Sequence, residues 1–188
     1  GAAQAGTAPT CAAGSASSAA SSPSPLPVIV VGGGLAGLCA ALEARAAGAP
    51  RVVLLEAAHA LGGNSAKASS GINCLEEGHG DSLALFEEDT LRSGGGLSRP
   101  ALVRKLVEES AGAKAFLESH GLALRKRSQC GAHSAARTLR NAGPGPNVGA
   151  LIVRALGDAV GGDPGIEVRT GARVVALLTG EDAEACGP

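Results

Sequence analysis

The sequence predicts an α/β fold with a parallel sheet and helices on both faces, on three observations. A continuous β-branched run, Val28-Ile29-Val30-Val31, has the look of a strand buried on both faces, as parallel strands are. A helical repeat and a second apolar run follow within the length of one βαβ crossover. The core must also be built from Val, Leu, Ile and Ala. Trp and Tyr are absent and Phe86 and Phe116 are the only aromatics, which suits closely packed layers better than an aromatic-filled sandwich.

Residues 1–27 are almost entirely Gly, Ala, Ser, Thr and Pro, without a charge or a hydrophobic period. Such a segment buries too little apolar surface to offset its ordering entropy. It is expected to be disordered, either a linker or a targeting remnant. It lacks the arginines of an organelle presequence and the apolar core of a secretory signal. The chain begins with Gly1 and contains no Met, so its N-terminus is read as truncated.

From residue 28 onward a single domain is expected. Residues 35–47 carry apolar and small side chains at helical spacing, stopped by Gly48 and Pro50. Residues 51–56 form the second strand, and 62–73 a Gly/Ser/Asn-rich loop. One helix is expected from about Asp81 to Ser93, with Asp81 or Ser82 as N-cap. A second is expected from Pro100 to about Ser119, with Leu102, Val103, Leu106, Val107, Ala113, Phe116 and Leu117 on one stripe. Residues 125–147 read as irregular. A helix over 148–160 and a strand pair, 166–169 with 173–178 around a Thr-Gly turn, complete the pattern.

Sixteen basic and seventeen acidic residues leave a net charge of −1, which provides no field for nucleic acid or anionic lipid. The five cysteines form no CxxC pair, and their odd number argues against a disulfide framework and for a reducing intracellular compartment, cytosol or mitochondrion. The four histidines lack metal-ligand spacing, so no metal site is expected. No apolar run is long enough to span a bilayer.

Gly32-Gly33-Gly34-Leu35-Ala36-Gly37 fits G-x-G-x-x-G. In so Gly-rich a chain the hexamer alone is weak. Here it follows a strand and opens a helix, and Glu56 closes the next strand at the expected distance, which makes a Rossmann-type dinucleotide site. Gly32 permits the tight turn, Gly34 lets a pyrophosphate approach the backbone, and Gly37 allows helix and strand to pack closely. The helix N-terminus favours the anion, and Glu56 accepts ribose hydroxyls while repelling a 2′-phosphate. The bland alternative is a plain Gly-rich turn with Glu56 as a surface residue.

After Glu56, the Leu61-Gly62-Gly63 run resembles the extended FAD signature of two-dinucleotide-binding flavoproteins. The runs Val28 to Leu38, Leu61-Gly-Gly-Asn-Ser-Ala-Lys-Ala-Ser-Ser-Gly-Ile-Asn73, Phe86 to Gly94, His133 to Thr138 and Glu167 to Val174 together resemble soluble fumarate reductase flavoproteins. That resemblance implies an incomplete FAD-binding domain, lacking its C-terminal part and a capping domain. It implies an enzyme reducing fumarate to succinate with hydride from reduced flavin, with its substrate-holding residues beyond Pro188. No catalytic residue is therefore assigned within the chain, and the isolated fragment is expected to be inactive. A related alkene reductase or dehydrogenase (urocanate, 3-ketosteroid) and an inactive nucleotide-binding remnant remain alternatives. The electron donor is open.

The resemblance further implies FAD contacts from Asn64, Ser65, Ser69, Ser70 and Gly71, and adenine contact from the backbone of Val174. Asn64 stands where membrane-bound relatives carry a flavin-bonding histidine. Asn has no nucleophilic ring nitrogen, so noncovalent FAD is expected. Leu139 and Ala132 depart from the family pattern, which leaves the function of the 130–147 loop in question.

Overall fold

The computed structural model describes residues 25–76, 78–143 and 145–178, so the segment expected to be disordered lies, up to residue 24, outside the described residues. In chain order the elements are β1 (Val28–Val31), α1 (Leu35–Ala46), β2 (Val52–Leu55), a 3-10 turn (Ser65–Lys67), β3 (Ile72–Asn73), α2 (Leu83–Ser93), α3 (Pro100–Glu108), α4 (Ser110–Ser119), β4 (Lys126–Ser128), β5 (Thr138–Arg140), α5 (Val148–Gly162) and β6 (Ile166–Arg169).

The expected parallel sheet is present, in the order β1-β2-β6. Val28 to Val31 pair in register with Val52 to Leu55, which pair on their other side with Ile166 to Arg169. Val52, Val53 and Leu54 are buried. The reading of β1 as buried on both faces needs correction: among the described residues β1 is the sheet's edge, with Ile29 52% and Val31 59% exposed. A β-branched run shows that a strand tolerates burial on two faces. Its place in the strand order is set by non-local pairing, which the run does not encode.

The main core lies among β2, α1 and α5, where Leu38, Ala41, Leu54, Leu156 and Val160 are fully buried. Burying one such leucine stabilises the fold by about 1.5–3 kcal/mol. A smaller cluster of Phe86, Val103 and Val107 holds α2 against α3. Ser82 caps α2, its hydroxyl accepting from the Leu85 amide at 3.1 Å.

Four further expectations are corrected. The single helix over 100–119 is two, broken at Glu109 (φ −94°, ψ 1°). There the buried Ser110 hydroxyl donates to the Val107 carbonyl and accepts from the Leu75 amide, tying the break to the chain after β3. Only part of the predicted stripe is core: Val103, Val107 and Leu117 are buried, whereas Leu102 and Leu106 face outward. Residues 125–147 contain β4 and β5, which with β3 make an antiparallel sheet ordered β3-β5-β4. Two- and three-residue strands are too short to show a period of two in the sequence. Finally, 173–178 is not a strand. Ile166–Arg169 pairs in parallel with β2 instead of folding back on the residues that follow it. Apolar content supplies only half of what a strand needs, the other half being a ladder partner. Among the described residues, no helix is long and apolar enough to cross a membrane.

Candidate functional site

The last rung between β1 and β2 is the Gly32 amide donating to the Leu55 carbonyl at 2.7 Å. The chain then turns at Gly32 with φ +101°, a conformation that favours glycine, and enters α1. The glycines of the loop differ in what confines them. A Cβ on Gly37 would lie 1.7 Å from the Gly32 carbonyl oxygen, so helix and turn pack backbone to backbone. A Cβ on Gly33 would overlap Leu61 at 2.4 Å. A Cβ on Gly34 would come no nearer than 3.6 Å, to the Ser65 hydroxyl. With the Gly62 carbonyl oxygen next at 3.9 Å, these are ordinary contacts, so the protein's own packing does not require glycine at 34, the residue from which α1 starts.

Two polar side chains close on this loop. Glu56 accepts from the Gly33 amide at 2.6 Å and from the Ala58 amide at 2.7 Å. The Ala58 amide, then the Gly33 amide, hold its carboxyl below the usual carboxylate range, with Arg173 adding a smaller effect. Ser65 accepts from the Leu35 amide at 3.2 Å and so caps α1 from outside the helix, since Gly34 has no side chain to do it. The Gly62 amide donates to the Gly33 carbonyl at 2.8 Å, joining the second glycine pair to the first loop.

The structure thus brings Gly32, Gly34, Leu35, Ala36, Gly37, Glu56 and Ser65 together. Asn64 precedes Ser65 on the surface and accepts from the Lys67 ammonium at 3.2 Å. Ser69 and Ser70 are exposed, and Gly71 (φ +134°) lies so close to β5 that a Cβ would meet the Leu139 carbonyl oxygen at 2.2 Å. Val174 is 38% exposed and follows Ala172 by two residues. The Gly171 and Ala172 amides donate to the carbonyls of Ala58 and Glu56, carrying the chain past the end of β2.

Sequence reasoning missed the contribution of α5. Val148, Gly149, Ile152 and Val153 join Leu35, Ser65 and Gly71 around a cavity of about 160 Å³ beside the loop. The Gly149 amide donates to the Ala68 carbonyl at 2.8 Å, and a Cβ there would lie 1.9 Å from the Ser65 carbonyl oxygen. One signal was available: glycine inside a helix costs about 1 kcal/mol relative to alanine, so its presence points to a close approach. Gly33 was passed over as the variable position of the motif, yet it is held by both Leu61 and Glu56.

A helix N-terminus with a bare backbone at Gly34, and a carboxylate one strand away, suits a nucleoside diphosphate. The sequence model of the family described as FAD binding domain matches residues 27–187. The chain belongs to this FAD-binding family. It is 44% identical over 137 residues to fumarate reductase 1 of Saccharomyces cerevisiae, covering 69% of this chain and 29% of the relative. It is 37% identical over 167 residues to L-aspartate oxidase of Caulobacter vibrioides, covering 85% and 32%. Among solved structures, the open conformation of a flavocytochrome c3 fumarate reductase superposes with a TM-score of 0.77 at 35% identity, covering 83% of this chain and 28% of that one. The chain therefore spans about three-tenths of the length of these relatives. As a member of an FAD-dependent oxidoreductase family it takes FAD as its cofactor, and the cradle at Gly34 fits that group.

Proposed function

We propose that this chain is the nucleotide-holding part of a fumarate-reductase-type flavoenzyme that reduces fumarate to succinate, and that it binds FAD without a covalent link. Residues 28–188 form that part, preceded by 1–27 as a linker. The diphosphate lies on Gly32, Gly34, Leu35, Ala36 and Gly37, where first-turn amides of α1 lack intrahelical acceptors. Glu56, its carboxylate form favoured by its two amide partners, takes the adenosine ribose hydroxyls. Asn64, Ser65, Ser69, Ser70 and Gly71 face the flavin half, and the Val174 backbone meets the adenine. Bound FAD supplies a carrier that accepts and donates hydride. No side chain of residues 1–188 is assigned to catalysis.

The observation that carries this reading is Gly34, a glycine at the start of α1 that the protein's own packing does not demand. The purified protein, mixed with FAD and freed of excess, is expected to retain the yellow flavin absorbance. A folded protein that stays colourless overturns the reading. For the noncovalent link, acid precipitation is expected to leave all flavin in the supernatant, and flavin in the pellet refutes it.

A second reading, oxidation of an amino acid, is supported by the relative named L-aspartate oxidase, which matches a longer stretch than the yeast enzyme does. On the full-length protein, fumarate-dependent reoxidation of reduced flavin supports the first reading. Flavin reduction by L-aspartate supports the second.

A further inference from the structure

The most buried charged side chain among the described residues lies outside the loop just described. Arg137 has a fully buried side chain and stands at the start of the segment leading into β5. Its guanidinium donates twice to Asp81, at 2.8 and 2.6 Å, and once to Asp89 at 2.6 Å, and it lies 4.5 Å from the centre of the Phe86 ring. Asp89 also accepts from the Ser134 amide and hydroxyl at 2.7 Å and from Arg92. The two aspartates account for Nε, Nη2 and one bond of Nη1.

Nη1 has a further neighbour, His133 Nδ1, at 2.8 Å. A guanidinium has five donors and no acceptor, so Nδ1 must accept and the ring proton is carried on Nε2. Nε2 lies 3.4 Å from the side-chain amide of Asn73, and the same amide lies 2.8 Å from the Thr138 hydroxyl. As placed, the Thr138 hydroxyl donates to Asn73 Oδ1 and Asn73 Nδ2 faces Nε2, two donors against each other once Nε2 carries the proton. The two ends of an amide are interchangeable in shape, so turning the Asn73 amide end for end gives one consistent direction: Arg137 donates to His133, His133 to the Asn73 oxygen, and the Asn73 NH₂ to Thr138. Asn73 pairs with Thr138 across β3 and β5, and two residues before it is Gly71, packed on the Leu139 carbonyl.

We propose that Arg137 and His133 are positioning residues for the cofactor site: Arg137 holds His133 in the Nε2–H tautomer, and His133 orients Asn73 and with it the Ser69–Gly71 turn. The proposal rests on the FAD reading only for the identity of the ligand that the turn meets.

Two measurements test it separately from that reading. Nitrogen-15 NMR of the histidine rings in the protein without FAD is expected to show His133 protonated at Nε2, and an Nδ1–H pattern overturns the proposal. FAD affinity then reads the consequence. His133→Gln offers an oxygen to Arg137 and an N–H to Asn73, and is expected to bind within about threefold of the parent, a difference smaller than one typical hydrogen bond. His133→Leu fills the space with neither bond and is expected to weaken binding about tenfold or more. Asn73→Ala, at an exposed position, breaks the same link and is expected to weaken binding about tenfold or more, which keeps the test decisive if the Leu variant does not fold. Parent-like affinity in Asn73→Ala, or equal losses in folded Gln and Leu variants, refutes the positioning role. A folded parent that takes no FAD yet shows the Nε2–H ring removes the FAD assignment and leaves the tautomer lock in place.

Discussion

Gly34 and Gly37 carry the same letter in the same motif and are glycine for different reasons. At Gly37 the obstacle is the protein's own Gly32 carbonyl, 1.7 Å from a would-be Cβ, so Gly37→Ala is expected to destabilise the fold by about 3 kcal/mol or more. Thermal or urea unfolding checks this without any cofactor. At Gly34 the nearest atom is 3.6 Å away, so Gly34→Val is expected to melt close to the parent and to lose FAD. Retained flavin in that variant counts directly against the site. Glu56 adds a pH dependence. Its folded carboxyl is held low by the Ala58 and Gly33 amides, so its contribution is present above the unfolded value and is lost as pH falls through the lowered one. FAD affinity is therefore expected to hold through neutral and mildly acidic solution and to fall at stronger acidity. In Glu56→Gln it is expected to be weaker by about tenfold at neutral pH, from the loss of hydrogen bonds to a charged acceptor. The motif and its acid were legible because they are short-range and tied to one crossover. That Gly33 is gripped by Leu61 and Glu56, 28 and 23 residues away, was not.

Among the elements, α2 and β5 are joined through a buried ion cluster that no periodicity announces. Burial alone would push the carboxyls of Asp81 and Asp89 up. Arg137, with the Ser134 amide and hydroxyl at Asp89 and the Ser82 amide at Asp81, holds both below the usual carboxylate range instead. Their stabilisation is complete above the ordinary aspartate range and lost as pH falls through the lowered values, so acid unfolding is expected to be shallower in Asp89→Asn than in the parent. Removing one partner leaves a buried charge uncompensated, and Asp89→Ala is expected to lose about 3–5 kcal/mol in urea denaturation. The apolar positions of α5 were visible over 148–160, but its docking onto the Ser65 turn was not, because the contact is made by the absence of a side chain at Gly149. Gly149→Ala is expected to lift α5 from the turn, lowering both melting temperature and FAD affinity. The break between α3 and α4 was hidden for a related reason: Ser110 bridges to Leu75, 35 residues earlier, and helical spacing carries no trace of that bond.

At the scale of the molecule, the parallel sheet ends, among the described residues, on β1. The amides of Val28 and Gly32 turn inward to the carbonyls of Arg51 and Leu55, which leaves the alternate amides of Ile29 and Val31 facing the open edge. An edge with half-exposed β-branched side chains is a template for pairing. The 188-residue chain is therefore expected to self-associate as concentration rises, and Ile29→Lys to suppress this in light scattering while leaving FAD binding intact. The positions of the glycines, the acid at residue 56, the first crossover and the class of ligand were all determined by the sequence alone, because each is a local pattern with one physical solution. Strand order, the antiparallel β3-β5-β4 sheet, the part of the α3 stripe that faces inward, the approach of α5 and the Arg137 cluster were decided only by the tertiary structure. Each joins segments tens of residues apart, and its energy resides in burial and pairing that exist only once the chain has closed on itself.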